Sequence, residues 1–202
     1  MFKVIALVLV AAVATFLVYV ALMPADFRIT RSQSIQAAPE VVFALVNDLH
    51  GFNRWNPFAQ GDPALKLEYS GPEAGQGAAY AWDSSGKSGQ GRTEITESLA
   101  ASRVVMRLEF LKPLTATNTA EFTMVPAGSS TTVTWSMKGK RPYSHKLMST
   151  IFNFDKMVGG EFEKGLTHLK VLVERPSDTA VDIRNFCPDQ PVAKMCNLPH
   201  GA

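Results

Sequence analysis

The stretch RVVMRLEFLKPLTATNTAEFTMVPAGSSTTVTWSMK, residues 103–138, decides the fold of this chain. Val104, Met106, Leu108 and Phe110 alternate with Arg107 and Glu109. Ala120, Phe122 and Met124 alternate with Thr119, Glu121 and Thr123, and Val133, Trp135 and Met137 with Thr132, Thr134 and Ser136. Successive side chains of a strand point to opposite faces, so this period of two predicts strands with one face on a core and the other in water. Gly, Pro and Ser punctuate the runs, as antiparallel turns require.

Working outward, runs of the same character cover Leu65–Ser70, Ala78–Asp83 and Arg92–Leu99, then Arg103–Leu111, Thr115–Val125 and Thr131–Lys138, with no convincing helix among them. An antiparallel meander follows, whose assignable inward positions are nearly all apolar. Upstream, Phe27–Gln36 reads as a first strand with Phe27, Ile29, Arg31, Gln33 and Ile35 on one face. Pro39 suits the first turn of a short helix carrying Val41, Val42, Leu45, Val46 and Leu49, and His50–Phe58 reads as a second short helix or turn ended by Pro57. Downstream, Leu147, Ile151, Phe154, Val158, Phe162, Leu166, Leu169 and Val173 recur at three or four residues and predict one long amphipathic helix from Ser144, as N-cap, to Arg175. Gly159 and Gly160 predict a kink within it.

The 202 residues, 46% hydrophobic and 19% charged, suffice for one buried core and are too few for two ordinary domains. The expected division is a membrane segment in residues 1–25, one domain in 26–175 and an irregular Pro-containing tail in 176–202. Val4–Met23 is uncharged and long enough to cross a hydrocarbon layer. We read it as an uncleaved anchor, because the apolar run exceeds a usual signal-peptide core, with a cleaved signal as the alternative. Lys3 on the short side orients the remainder away from the cytoplasm, which would be the periplasm if the cell is Gram-negative. With 20 basic and 18 acidic residues interspersed, there is no basic run to bind nucleic acid. Cys187 and Cys196, the two cysteines, form a candidate disulfide, with free thiols as the alternative.

The order strand, two short helices, six strands, long helix resembles the helix-grip layout of birch-pollen-allergen-like and START-like (SRPBCC) proteins. Ala38–Phe43 (APEVVF), Trp55–Phe58 (WNPF) and Phe162–Lys170 (FEKGLTHLK) are similar to stretches of the bacterial polyketide cyclase/dehydratase subgroup. The resemblance spans about residues 27–175 and implies an α+β fold, a curved antiparallel sheet of about seven strands around a C-terminal helix, preceded here by the transmembrane segment. It also implies a pocket for a lipid-like or aromatic molecule, and brings over no catalytic position.

Candidate cavity-lining residues are Trp55, Phe58, Tyr69, Tyr80, Trp82, Met106, Phe110, Phe122, Trp135, Met137 and Phe154, which supply flat or adaptable apolar contact. Simple core filling is the competing reading of the same set. Ser85–Ser88 resembles the end of a phosphate loop, but residue 81 is Ala where a glycine is needed, so we read a hairpin loop whose glycines 86, 89 and 91 allow tight turns or a bulge. The four histidines lack metal-ligand spacing, and neither a metal nor a cofactor is expected. Asp48 and His50, two residues apart, are expected to diverge as solvated surface groups. Arg92, Arg103, Arg107, Lys138, Lys140 and Arg141 read as solvated charge, with anionic head groups as the alternative. The leading functional expectation is a membrane-anchored, non-catalytic module binding a hydrophobic small molecule or lipid. A cyclase-, dehydratase- or hydrolase-like enzyme and a protein-interaction module, its partner unknown, are the alternatives.

Overall fold

Alternation translates into seven strands whose bounds lie within two residues of those read from sequence. The computed structural model describes residues 2–86, 88–140, 143, 146, 147, 150 and 153–175. Its elements are α1 (Phe2–Leu22), β1 (Asp26–Ile35), α2 (Pro39–Asn47), α3 (Leu49–Asn53), α4 (Pro57–Gln60), β2 (Lys66–Ser70), β3 (Ala79–Asp83), β4 (Gln90–Leu99), β5 (Arg103–Lys112), β6 (Ala116–Ala127), β7 (Ser130–Lys140) and α5 (Phe154–Glu174). The strands form one antiparallel sheet in the order β1-β7-β6-β5-β4-β3-β2. Strands β2 to β7 are a meander. The helices α2–α4 carry the chain from β1 at one edge to β2 at the other.

Helix boundaries follow local chemistry. Pro39 sits at the start of α2, where its missing N–H is not needed. Asp48 caps α3 by accepting from the His50 amide at 2.9 Å. Pro57, expected to end a helix, instead starts α4, because Asn56 in extended conformation caps it through the Phe58 amide.

The long C-terminal helix also differs from expectation. It does not run unbroken from Ser144: Thr150 is in a turn, Asn153 is non-helical, and Asn153 Oδ1 accepts from the Lys156 amide at 2.9 Å to cap α5. Ser144 and Ile151 lie outside the described residues. No break appears at Gly159 or Gly160; α5 is helical through both. Gly159 is needed for a different reason, since a Cβ there would lie 2.1 Å from Arg31 Nη2. Arg31 lies over that gap and binds Glu163 at 2.7 Å and Asp155 at 3.0 Å, fastening β1 to α5 and raising its own pKa through those hydrogen bonds.

The buried face of α5, Val158, Phe162, Gly165, Leu166 and Leu169, completes a core with Ile29, Ile35, Val42, Val46, Phe52, Trp55, Ile95, Met106, Phe122 and Trp135. Helix α1 stands apart from this core. It is 21 residues long, about 31 Å at 1.5 Å per residue, carries one charge, Lys3, in an otherwise almost wholly apolar sequence, and every residue but Val20 is exposed.

Candidate functional site

Strand register places the inward side chains in rungs that cross the whole sheet. One rung runs Tyr69, Tyr80, Thr93, Leu108, Asn118, Gly139, Phe27 from β2 to β1. The rung toward the start of β1 carries Leu67, Trp82, Gly91, Phe110 and Ala116. The rung on the other side carries Ile95, Met106, Ala120, Met137 and Ile29. The first rung, set between two apolar ones, is the polar stripe of this face because it carries buried Thr93 and Asn118 and the two tyrosine hydroxyls; apart from these the inward positions are nearly all apolar, as expected. Asn118 follows by extending the Ala120, Phe122, Met124 alternation one step back, and Thr93 by pairing β4 with β5.

The candidate residues divide between two environments. Trp55, Phe122 and Trp135 are buried with Phe52 and Phe162 in a network of edge and stacked contacts; Trp135 lies on Phe162 at 4.1 Å and 8°. Gly165 permits this closure, because a Cβ there would be 2.8 Å from the Trp135 ring and 2.9 Å from Pro57. Phe58 packs its edge on Trp135 and Phe162 but stays 44% exposed at the rim. Met106 and Met137 are buried in the rung beside the polar stripe. Phe154, at the start of α5, meets Phe27 edge-on at 5.9 Å. Within this half, Trp55, Met106, Phe122, Trp135 and Met137 fill the core, while Phe58 and Phe154 border it. Cys187 and Cys196 lie outside the described residues, as do Arg141, His145 and His200.

Tyr80, Trp82 and Phe110 form a second, more open row with Tyr69: successive ring centroids are 5.8, 6.1 and 5.5 Å apart. Tyr69, Trp82 and Phe110 are half-buried, with Leu67 and Leu108 beside them, whereas Tyr80 is buried. Helix α5 packs chiefly on β1, at the opposite side of the sheet. Gly91 gives Trp82 its place, since a Cβ would lie 2.2 Å from the indole and 2.4 Å from the Glu109 carbonyl; the β4 register shift at Gln90/Gly91 matches the bulge read from the glycines. Trp82 Nε1 donates to the Ser88 carbonyl at 3.2 Å. Where this row ends, the β5–β6 hairpin borders an open groove of about 330 Å³ lined by Glu109, Phe110, Leu111, Thr115, Ala116 and Thr117.

The polar groups of the stripe have distinct states. Burial pushes the Tyr80 phenol up to about 12, so it is a neutral hydrogen-bonding group in neutral solution, with Thr93 and Asn53 as its partners. Asn53 Nδ2 also donates to the Tyr69 hydroxyl at 3.1 Å. Asn118 is buried across Gly139, its Nδ2 3.9 Å from Met137 Sδ, and its Oδ1 has no partner among the described residues. Such an acceptor is costly to leave unmade. At the outer margin His50 stacks on Tyr69 at 3.8 Å, and its Nδ1 is 3.5 Å from Asp48 Oδ1. Asp48 and His50 are solvated surface groups as expected, but they do not diverge, because Asp48 is a cap in extended conformation, outside helical spacing.

The loop Ser84–Gly89 is braced from beneath. Buried Asp62 accepts from Ser84 Oγ at 2.8 Å, the Ser88 amide at 3.0 Å and the Ala64 amide at 3.1 Å. Hydrogen bonds from Ser88, then Ser84, lower its pKa to about 2.

Residues 26–174 match the family model described as polyketide cyclase/dehydrase and lipid transport. The chain belongs to this family. Solved structures similar to this family member share its fold at low sequence identity. A Mesorhizobium loti protein is 12% identical with a TM-score of 0.55, over 74% of this chain and 98% of that one. The Aha1 protein of Colwellia psychrerythraea, solved as a dimer, is 16% identical with a TM-score of 0.53, over 74% and 97%. A Chromobacterium violaceum protein is 15% identical with a TM-score of 0.52, over 76% and 100%. No curated protein matches the chain significantly by sequence. For a family member, the chemistry present on the concave face suits binding: flat apolar rings for contact area and a few fixed polar groups for orientation.

Proposed function

We propose that residues 26–175 form a binding module for a hydrophobic small molecule or lipid bearing one or two polar groups, held to a membrane by residues 1–25 on its extracytoplasmic side. The observation that carries this reading is the row of half-buried Tyr69, Trp82 and Phe110 around buried Tyr80, beside the polar stripe. Apolar parts of the ligand lie on the rings, and its hydroxyl or amide donor meets Asn118 Oδ1, with Thr93 and Tyr80 alongside. Trp55, Met106, Phe122, Trp135 and Met137 back the site as packed core, and Phe58 and Phe154 border it. Helix α1 supports the tether by its length, apolarity and exposure, and Lys3 supports the orientation.

Native mass spectrometry of the full chain, released from membranes in mild detergent and exposed to a total lipid extract, tests the proposal. We expect a discrete bound mass that is lost in Trp82→Ala and weakened in Asn118→Leu. A ligand-free spectrum under all conditions, or a ligand retained equally by both variants, overturns it.

A further inference from the structure

We infer that the end of the domain nearest α1 docks into the head-group layer of the bilayer that α1 crosses, with the β5–β6 hairpin seated in it and the Phe110 groove opening onto lipid. This rests on reading α1 as a membrane span.

Topology gathers one end of the sheet at the tether. Asp26 pairs with Lys140, Phe110 with Ala116, Lys112 with Gln90, and Gln90 with Asp83, so the start of β1 and the turns after β3 and β5 lie at the same end. Leu22 and Asp26 are four residues apart, which allows about 14 Å at full extension. The separation in the structure is bridged further by direct contact. The Tyr143 hydroxyl donates to the Leu17 carbonyl at 3.2 Å, and Lys146 Nζ donates to the Ala21 carbonyl at 3.2 Å. Val20 is fully buried while the rest of α1 is exposed. Leu17 lies five residues before the end of α1, about 7 Å along its axis. If α1 spans, part of the domain therefore already sits at interfacial depth, where a tyrosine is well suited.

The surface at this end fits that environment. Leu111 and Leu114 flank the hairpin tip at 58% and 53% exposed, with Lys112 between them. Arg28 and Lys138 oppose one another across β1 and β7, an arrangement that repels unless an anion lies near. Neither of these, nor Lys112 or Lys140, makes an ion pair among the described residues. An apolar tip and cations without an ion pair among the described residues, at one end of the sheet, match an anionic lipid surface. The groove lined by Phe110 and Leu111 borders the same hairpin, and Phe110 is also the last ring of the aromatic row, so docking sets that end of the row against lipid.

The test uses the full chain reconstituted singly in nanodiscs of phosphatidylcholine and phosphatidylglycerol. Cys187→Ser and Cys196→Ser form the background, and an environment-sensitive fluorophore is attached at Val10→Cys, Leu114→Cys or Ser129→Cys. Docking predicts that the labels at 10 and 114 lose most of their iodide quenching, with the 114 label quenched by shallow spin-labelled lipid, while the label at 129 on the far hairpin stays water-exposed. A protected 10 with a water-exposed 114 overturns docking and leaves the anchor standing. A water-exposed 10 overturns the anchor and docking together. Protection of 114 that appears only when several chains share a bilayer assigns the hairpin to a second copy and also overturns docking.

Discussion

Alanine at Gly160 should stabilise the domain, and alanine one residue earlier should not. Both glycines are inside α5, where Gly costs about 1 kcal/mol relative to Ala. A Cβ at Gly160 meets nothing within 4 Å, so Gly160→Ala recovers about 1 kcal/mol, or roughly 2–4 °C in Tm for a chain of this size. At Gly159 the new methyl would lie 2.1 Å from Arg31 Nη2 and 2.4 Å from Arg31 Cζ. The guanidinium is the end of a flexible side chain, but Asp155 and Glu163 hold it there. Displacing it loses both partners and offsets the backbone gain. Thermal unfolding of the full chain in detergent measures the difference, and Arg31→Ala supplies the control: without the guanidinium, Gly159→Ala should stabilise as much as Gly160→Ala. Equal stabilisation at the two sites with Arg31 present, or a difference that persists after Arg31 is removed, refutes the reasoning.

Acid stability should report the brace under the Ser84–Gly89 loop. The Asp62 pKa falls from about 4 in the unfolded chain to about 2 when folded, so the folded state binds fewer protons in that window. Its contribution is complete above about pH 4 and is lost as pH falls toward 2; Asp62→Asn should flatten this part of the unfolding profile relative to the native chain. Phe122→Ala should cost about 3–5 kcal/mol in urea unfolding, because Phe122 is fully buried among Phe52, Trp55 and Trp135. A loss under 1 kcal/mol would mean that the aromatic network is not the packed end of the grip.

The strands were legible because burial acts on every second residue: Phe122 and Met124, or Val133 and Trp135, carry the sheet face in their spacing alone. The start of α5 was not, since Leu147 and Ile151 continue a helical period that the Asn153 cap interrupts. A periodic pattern records which residues are apolar, whereas a cap depends on one side chain's dihedral state. Gly159 was misread for a related reason: its cause is Arg31, 128 positions away in the chain and adjacent only after β1 meets α5. The candidate set is legible as a list of aromatic and methionine residues, but its division into packed Trp55, Phe122 and Trp135 and half-buried Trp82 and Phe110 depends on tertiary placement. Asn118 and Thr93 are not legible from alternation alone, because each is a lone polar residue on the inward face of its strand, and their place in one rung, on either side of Leu108, appears only with strand order.

The chain's three tryptophans offer a direct test of the central claim, since each indole N–H occupies a different setting. Trp55 Nε1 donates to the Leu45 carbonyl inside the packed end, Trp135 Nε1 is buried there without a partner among the described residues, and Trp82 Nε1 donates to Ser88 beside the open row. In two-dimensional NMR of the full chain in detergent micelles, adding a total lipid extract should shift the Trp82 indole signal strongly and leave that of Trp55 unmoved. An unmoved Trp82 signal at saturating extract, or equal shifts at all three, would contradict ligand binding on the row formed by Tyr69, Tyr80, Trp82 and Phe110.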